Sequence, residues 1–427
     1  MLVIKAVSAL LLLASQLVPA KCLGISEFGT FSYINSILAV MTFFIACGTD
    51  RYCLKEVALA FKEAGEDQQH PQAENLKADI GRKTFGVCSV LTINTLLVAT
   101  GLFFYLQHCL QKEFTLPLFW ICVLIVFGRA ALQVSSCVTR GLGKVLLSEA
   151  IFSLVRPLIF VIPMAFCFFG SIRLSLASVL LMFAGSYLAV TVVFLIVNSK
   201  VPALKPKYDP KKVANVYRCS FFFFLIGFGL PLMANINTIE LGNMRPRAEV
   251  ALFAAAAKVV GVVLLGLVSA NLIIAPKLPR LFYGGDFEGM RRAIRDNNLF
   301  VILLTTVPVA LIVVFAEPIL SAFGTKYTAA APLLRIMVIG QAFSVLCGPV
   351  VLTATLTGLQ KYTATVVLSV CLINWLLCLA LIPTHGAMGA AYASVIGRLL
   401  INGVLAFIIF RQTGVNVTMT NLLPVKN

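Results

Sequence analysis

Long, uninterrupted apolar blocks run through this chain, and they restrict its fold more than any other feature. Each is about twenty residues, the length at which a helix crosses the hydrocarbon core of a bilayer. A transmembrane barrel would need alternating segments of about ten residues. That pattern is absent, so the spans are expected to be helical. Composition agrees: 60% of the 427 residues are hydrophobic and only 12% charged, far from the soluble balance of about half apolar and a quarter charged. Hydropathy places spans near 3–20, 28–48, 85–106, 116–138, 145–170, 174–198, 218–240, 249–274, 298–322, 329–355, 362–382 and 388–410. The segment MLVIKAVSALLLLASQLVPAKC also has the form of a secretory signal with Ala20 near a cleavage position. An even helix count requires it to stay as the first span.

The net charge of +17 could mark a nucleic-acid binder, but its distribution argues for a membrane instead, and no nucleic-acid partner is expected. With Arg218, at the edge of the seventh span, counted among the connections, the even-numbered connections and the C-terminal tail hold 22 Lys and Arg, and the odd-numbered connections hold 6. This is a strong positive-inside bias. It puts both termini and the long loops in the cytoplasm. The basic, Pro-containing stretch at 200–217 (KVPALKPKYDPKKVANVY) divides the chain. The expected domains are an N-terminal six-helix bundle over 1–199, that cytoplasmic linker, and a C-terminal six-helix bundle over 218–427. Gly227, Gly229 and Pro231, Gly348-Pro349, and Pro157 and Pro163 interrupt three spans. Such breaks are tolerated where backbone is buried or lines a cavity, and two halves around a site are a common transporter plan. The expected fold is all-α, with about twelve transmembrane helices in two six-helix bundles around a central cavity.

Six cations lie inside spans: Lys5, Arg129, Arg156, Lys258, Arg335 and Arg398. No Asp or Glu sits near the middle of any span; Asp50, Glu149, Glu240, Glu249 and Glu317 are all at or near span ends. A cation at the bilayer centre costs roughly 2.5–3.5 kcal/mol on insertion scales and needs a partner or an aqueous cavity. With no carboxylate at that depth, the expected partner is a bound anion. Arg129, Gln133, Ser136 and Arg140 form one polar stripe at helical spacing, as do Ser394, Arg398 and Asn402. Asn235 and Asn237 add polar groups to the seventh span, and Lys258 shares a face with Ala251, Ala254, Ala255 and Gly261. The candidate anion-binding set is therefore Arg129, Arg156, Lys258, Arg398 and Arg335, with Gln133, Asn235, Asn237 and Asn402 as polar lining. Lys5 and Arg335 lie near span ends, where a long side chain can snorkel to the interface. Gly386, Gly389, Ala390, Ala393 and Gly397 suit close helix packing better than a site.

Nothing here has the spacing of an enzyme or a metal site. The twelve cysteines are scattered without a CxxC pair, and the three histidines lack ligand spacing. No phosphate-binding loop or nucleophile elbow occurs. No cofactor and no metal are expected.

From Leu23 to Val415 the order of short motifs resembles the polysaccharide transporter family, flippases for O-antigen and other lipid-linked oligosaccharides within the multidrug/oligosaccharidyl-lipid/polysaccharide exporter superfamily. The matching stretches are LGISEFGTFSYINS, ANLIIAPKLPRLFYGGDFEGM, FGTKYTAAAPLLRIMVIGQAFSVLCGPV, TGLQKY and LIPTHGAMGAAYASVIGRLLINGV. The resemblance implies a flippase that turns an undecaprenyl-pyrophosphate-linked sugar unit from the inner to the outer leaflet of the bacterial cytoplasmic membrane. It implies alternating access through a cationic cavity, to which Arg129, Arg156, Lys258 and Arg398 would contribute. Its place would be in lipopolysaccharide and surface polysaccharide biosynthesis, beside assembly proteins. A monomer is expected, since twelve helices in one chain can enclose a cavity. Within the superfamily, a peptidoglycan-precursor flippase or a drug exporter are alternatives. The first resembles a fourteen-helix layout, and an exporter of cationic drugs calls for mid-span carboxylates. A membrane polymerase or ligase would need acid–base groups on the outer face; the short outer connections hold few.

Overall fold

A chain whose apolar blocks must satisfy every backbone polar group internally becomes a succession of helices. The computed structural model describes residues 2–63, 71–110, 115–170, 172, 174–198 and 210–419. In chain order the helices are α1 (Leu2–Cys22), α2 (Ile25–Ala46), α3 (Thr49–Glu63), α4 (Pro71–Leu110), α5 (Leu116–Gly141), α6 (Val145–Ala150), α7 (Arg156–Phe169) and α8 (Leu176–Val197). There follow α9 (Pro210–Met244), α10 (Arg247–Ile274), α11 (Lys277–Tyr283), α12 (Phe287–Val314), α13 (Ala316–Ser321), α14 (Ala331–Leu346), α15 (Val350–Leu356), α16 (Gln360–His385) and α17 (Ala387–Thr413). No strand occurs among the described residues.

Nine stretches of the described residues are long and apolar enough to cross a membrane. The three other expected spans fall on α1, α9 and α10. The chain is an all-α, multi-pass membrane protein. Its surface fits that medium: Phe166, Phe169 and Leu303 are 75%, 83% and 75% exposed, among many such residues that in water would form an untenable apolar patch. Several hydroxyls inside spans turn back onto their own helix, as Thr42 Oγ1 does to the Leu38 carbonyl (2.7 Å) and Thr191 Oγ1 to that of Tyr187 (2.8 Å).

The helices pack into two units, Ile34–Pro231 and Leu2–Tyr33 with Leu232–Asn427, whose boundaries fall inside α2 and α9. The expected division at 199 and 218 rests on charge and hydropathy along the chain. Its linker residues 200–209 lie outside the described residues, as does the side chain of Lys5.

In the Ile34–Pro231 unit, α5 lies against α3, α4 and α8. Helix α5 starts where Thr115 Oγ1 accepts from the Leu118 amide with proline in the first turn, an arrangement that satisfies an orphan donor. Helix α8 starts with a reciprocal Ser175–Ser178 capping box. Two glycines set the approach to α5. A Cβ on Gly141 would lie 2.8 Å from Val57 Cβ on α3, and one on Gly128 would lie 3.1 Å from Tyr187 Cβ on α8.

The expected span at 145–170 is helical throughout but not uniform. Residues Ile151–Val155 form a π-helical turn, closed by the Arg156 amide donating to the Ile151 carbonyl five residues back. Pro157 has no amide to give to the preceding turn, which favours such a widening. The turn re-aims Arg156 relative to a straight helix.

In the other unit, α14 stops at Cys347, and Gly348, at φ 78°, turns the chain into α15. The residues after α17 return to this break. Asn298 Nδ2 donates to the Val417 carbonyl (2.9 Å), with Val415 and Val417 buried in the core beside Val350 and Ile294. Gly386, at φ 56°, joins α16 to α17. A Cβ on Gly389 would meet the Leu381 carbonyl at 2.2 Å, so the small-residue face of α17 serves packing.

Candidate functional site

Of the in-span cations, the Ile34–Pro231 unit holds Arg129 and Arg156, and the structure brings them together on one ring. The Arg129 guanidinium carbon lies 5.1 Å from the centroid of Tyr187 and 5.2 Å from that of Phe183. The Arg156 guanidinium carbon lies 5.1 Å from the same Tyr187 centroid, and its Nη1 donates to the Tyr187 hydroxyl at 2.6 Å. Arg129 is near the middle of its apolar helix, and Arg156 near the middle of the continuous span 145–170. Tyr187 is buried, and both arginines are half-buried. Gly128 makes this possible by letting α8 close on α5 one residue before Arg129.

The hydrogen-bond partners of these arginines are neutral. Arg129 donates to the Asn35 side-chain oxygen through Nη2 and to the Asn35 carbonyl through Nη1 (3.4 Å). Among the described residues neither arginine has a carboxylate within ion-pair distance. The Nε atoms of both are buried without a hydrogen-bond partner there. A guanidinium presents five donors and no acceptor. Two such groups in a site without a carboxylate carry charge and unused N–H bonds suited to an anion whose oxygens accept in pairs, as a phosphate does.

The rest of the α5 stripe is internally paired. Gln133 Nε2 donates to Asp50 Oδ2 (2.8 Å), Ser136 Oγ meets Ser148 Oγ (2.9 Å), and Arg140 Nη2 reaches Glu149 Oε2 (3.2 Å). Glu149 also accepts from Ser153 Oγ in the π turn (2.8 Å). So the carboxylates at span ends serve the end of the stripe, and Gln133 belongs to that network.

The remaining candidates lie in the other unit. Arg398 donates through Nη1 to Gln341 Oε1, again a neutral partner. Asn402 Nδ2 donates to Ser344 Oγ (2.7 Å) and to the Arg398 carbonyl (2.9 Å). These four make a polar ladder between α14 and α17. Asn237 Oδ1 instead accepts from Asn374 Nδ2 (2.9 Å) and Cys378 Sγ (2.9 Å), a buried tie between α9 and α16. Asn235 is half-buried on α9, and Lys258 is exposed on α10. Arg335 stands apart: its Nη2 pairs with Glu317 Oε1 at 3.5 Å, and its Nε donates to the Val313 carbonyl at 3.3 Å. Among the described residues no carboxylate pairs with Arg129, Arg156 or Arg398, whereas Arg335 pairs with Glu317.

Sequence reading alone did not single out Tyr187, Phe183 or Asn35. A tyrosine and an asparagine in mid-span were the visible signals, but their pairing with Arg129 joins residues 94 positions apart in the case of Asn35.

A model of the family described as polysaccharide biosynthesis protein matches residues 2–282. No curated protein sequence matches the chain. Among solved structures, the lipid II flippase MurJ in an inward closed conformation superposes with a TM-score of 0.71 at 14% identity, covering 98% of this chain and 90% of that one. An inward-facing multidrug resistance MATE family transporter of the MOP superfamily gives 0.68 at 10% identity, over 97% and 98%. The MATE multidrug transporter DinF-BH gives 0.67 at 13%, over 97% and 94%. At such identities the likeness is one of fold.

Proposed function

Because the chain belongs to the polysaccharide biosynthesis protein family, we propose that it is a flippase. Its substrate would be an undecaprenyl-pyrophosphate-linked oligosaccharide, an O-antigen or similar surface polysaccharide repeat. The unit passes from the inner to the outer leaflet by alternating access along a cationic path. The observation that carries the proposal is the pair Arg129 and Arg156, held in mid-span on Tyr187 by neutral groups. A pyrophosphate is a multiply charged anion with oxygens for both guanidiniums. The barrier such a path lowers is the desolvation of that headgroup, while the lipid tail stays in the bilayer. Arg398 with Asn402, and Lys258, are the corresponding candidates in the other unit.

The family and the positive-inside bias support the bacterial inner membrane with both termini cytoplasmic. We further propose a repeat of six-helix halves at 1–199 and 218–427, acting as a monomer without a catalytic centre and alongside polysaccharide-assembly proteins. A peptidoglycan-precursor flippase is the second reading, favoured by the fold likeness to MurJ; its substrate would present the same headgroup chemistry.

The test is complementation in two hosts, one lacking its O-unit flippase and one depleted of its peptidoglycan-precursor flippase. Rescue of surface polysaccharide by wild type, and its loss in correctly inserted Arg129→Ala and Arg156→Ala, is the expected result. Rescue of the second host alone would transfer the function to the peptidoglycan precursor. Rescue of the first host by both variants would remove the cationic path.

A further inference from the structure

Resting on the flippase reading, we infer that Tyr187 is a positioning residue. It holds Arg129 and Arg156 beside each other so that one diphosphate group engages both, and it thereby sets a preference for diphosphate over monophosphate.

Tyr187 touches both arginines, while Phe183 adds a second ring face to Arg129. The two chemical parts of Tyr187 act separately. The ring face attracts the guanidiniums through its quadrupole, and the hydroxyl oxygen accepts from Arg156 Nη1 at 2.6 Å. The two guanidinium carbons each lie 5.1 Å from one centroid, so they are at most about 10 Å apart. Two like charges this close in a poorly screened interior repel. They stay together because helix packing holds the α8 ring against α5 and α7, with Gly128 giving α8 its approach and the π turn aiming Arg156.

The anchoring is also unequal. Arg129 is fixed on Asn35 by two donors, whereas Tyr187 supplies the single side-chain acceptor of Arg156 among the described residues. Tyr187 therefore governs where Arg156 sits relative to a fixed Arg129. A monophosphate is satisfied by one guanidinium fork. A diphosphate, with acceptors on two phosphorus atoms, gains from a second fork at a set distance.

A second tyrosine–arginine contact in this protein is built differently. The Arg247 guanidinium carbon lies 4.0 Å from the Tyr33 centroid, but its Nη1 donates to the Gly242 carbonyl and the Tyr33 hydroxyl donates to Asn243. Both side chains there are tied to the end of α9, so that contact closes the α9–α10 connection.

The test uses full-length protein purified in detergent and titrated calorimetrically with inorganic pyrophosphate and, separately, inorganic phosphate. Wild type is expected to favour pyrophosphate by about tenfold, the factor one well-placed charge-assisted contact supplies. Tyr187→Leu is expected to bring the ratio close to one, and Tyr187→Phe, which keeps the ring, to give an intermediate value. In an Arg129→Gln/Arg156→Gln background, Tyr187→Leu should have no further effect, because the two sites are one unit. An unchanged ratio in both Tyr187 variants, or a Tyr187→Leu effect that persists without the arginines, would overturn the inference. Should wild type rescue O-unit export while the ratio is insensitive to Tyr187, the flippase proposal survives and this inference falls. A Tyr187-dependent ratio without rescue in either host would instead remove the flippase proposal.

Discussion

Gly348→Ala should destabilise the Leu232–Asn427 unit far more than Gly414→Ala, although both glycines have positive φ, 78° and 66°. An L-residue in the left-handed region costs roughly 1–2 kcal/mol, and that term is common to both substitutions. Their surroundings differ. A Cβ on Gly414 meets nothing within 4 Å, whereas one on Gly348 lies 2.5 Å from the Val417 carbonyl and 2.8 Å from Asn298 Oδ1. Backbone at that distance cannot yield without moving the segment after α17. Displacing it exposes Val415 and Val417, now 0% and 1% exposed, each worth roughly 1.5–3 kcal/mol when fully buried. It also breaks the Asn298–Val417 hydrogen bond, worth about 1 kcal/mol. Partial relaxation will recover some of this, so the expected difference between the variants is about 2–4 kcal/mol. Reversible unfolding of the purified variants by denaturing detergent in mixed micelles measures it. Equal losses in the two would refute the docking of residues 415–417 against the α14–α15 break.

Gly128→Val should push α8 from α5 and separate Tyr187 from Arg129, lowering transport at least as much as Arg129→Gln while the protein still inserts; transport at the wild-type rate would contradict the packing argument. Glu317→Ala should leave both stability and transport within about 1 kcal/mol and twofold of wild type, since an exposed pair contributes little. A severe transport loss in that variant would contradict this reading of the pair. Gly389→Ala places a Cβ 2.2 Å from the Leu381 carbonyl and should cost roughly 1–3 kcal/mol by overpacking the α16–α17 joint, seen as a lowered unfolding midpoint.

Much of the fold was legible because the bilayer imposes a length and a polarity on every span. The break at Gly348-Pro349 was legible too, since Gly and Pro report backbone geometry locally. The same rule flagged Arg129, Arg156 and Arg398, because a charge in an apolar block is visible without any fold. What surrounds them was not legible. Asn35 and Tyr187 meet Arg129 across helices that sequence periodicity cannot pair. The π turn before Arg156 changes register by a single residue without a distinctive pattern, Pro157 being its one local cue. Arg335 and Glu317 lie 18 residues apart on different helices, which hid a simple ion pair. The docking of Val415 and Val417 was invisible because two valines after a helix end look like any apolar tail.

The most direct test of the central claim is translocation itself, with purified protein in liposomes and a fluorescent polyprenyl-diphosphate-linked oligosaccharide whose outer-leaflet fraction is read by quenching. Wild type should equilibrate the lipid between leaflets, while Arg129→Gln and Arg156→Gln, reconstituted at equal density, should slow it at least about tenfold, as loss of one charge-assisted contact implies. Equal rates in wild type and both variants, or no movement by wild type above protein-free liposomes, would contradict the account.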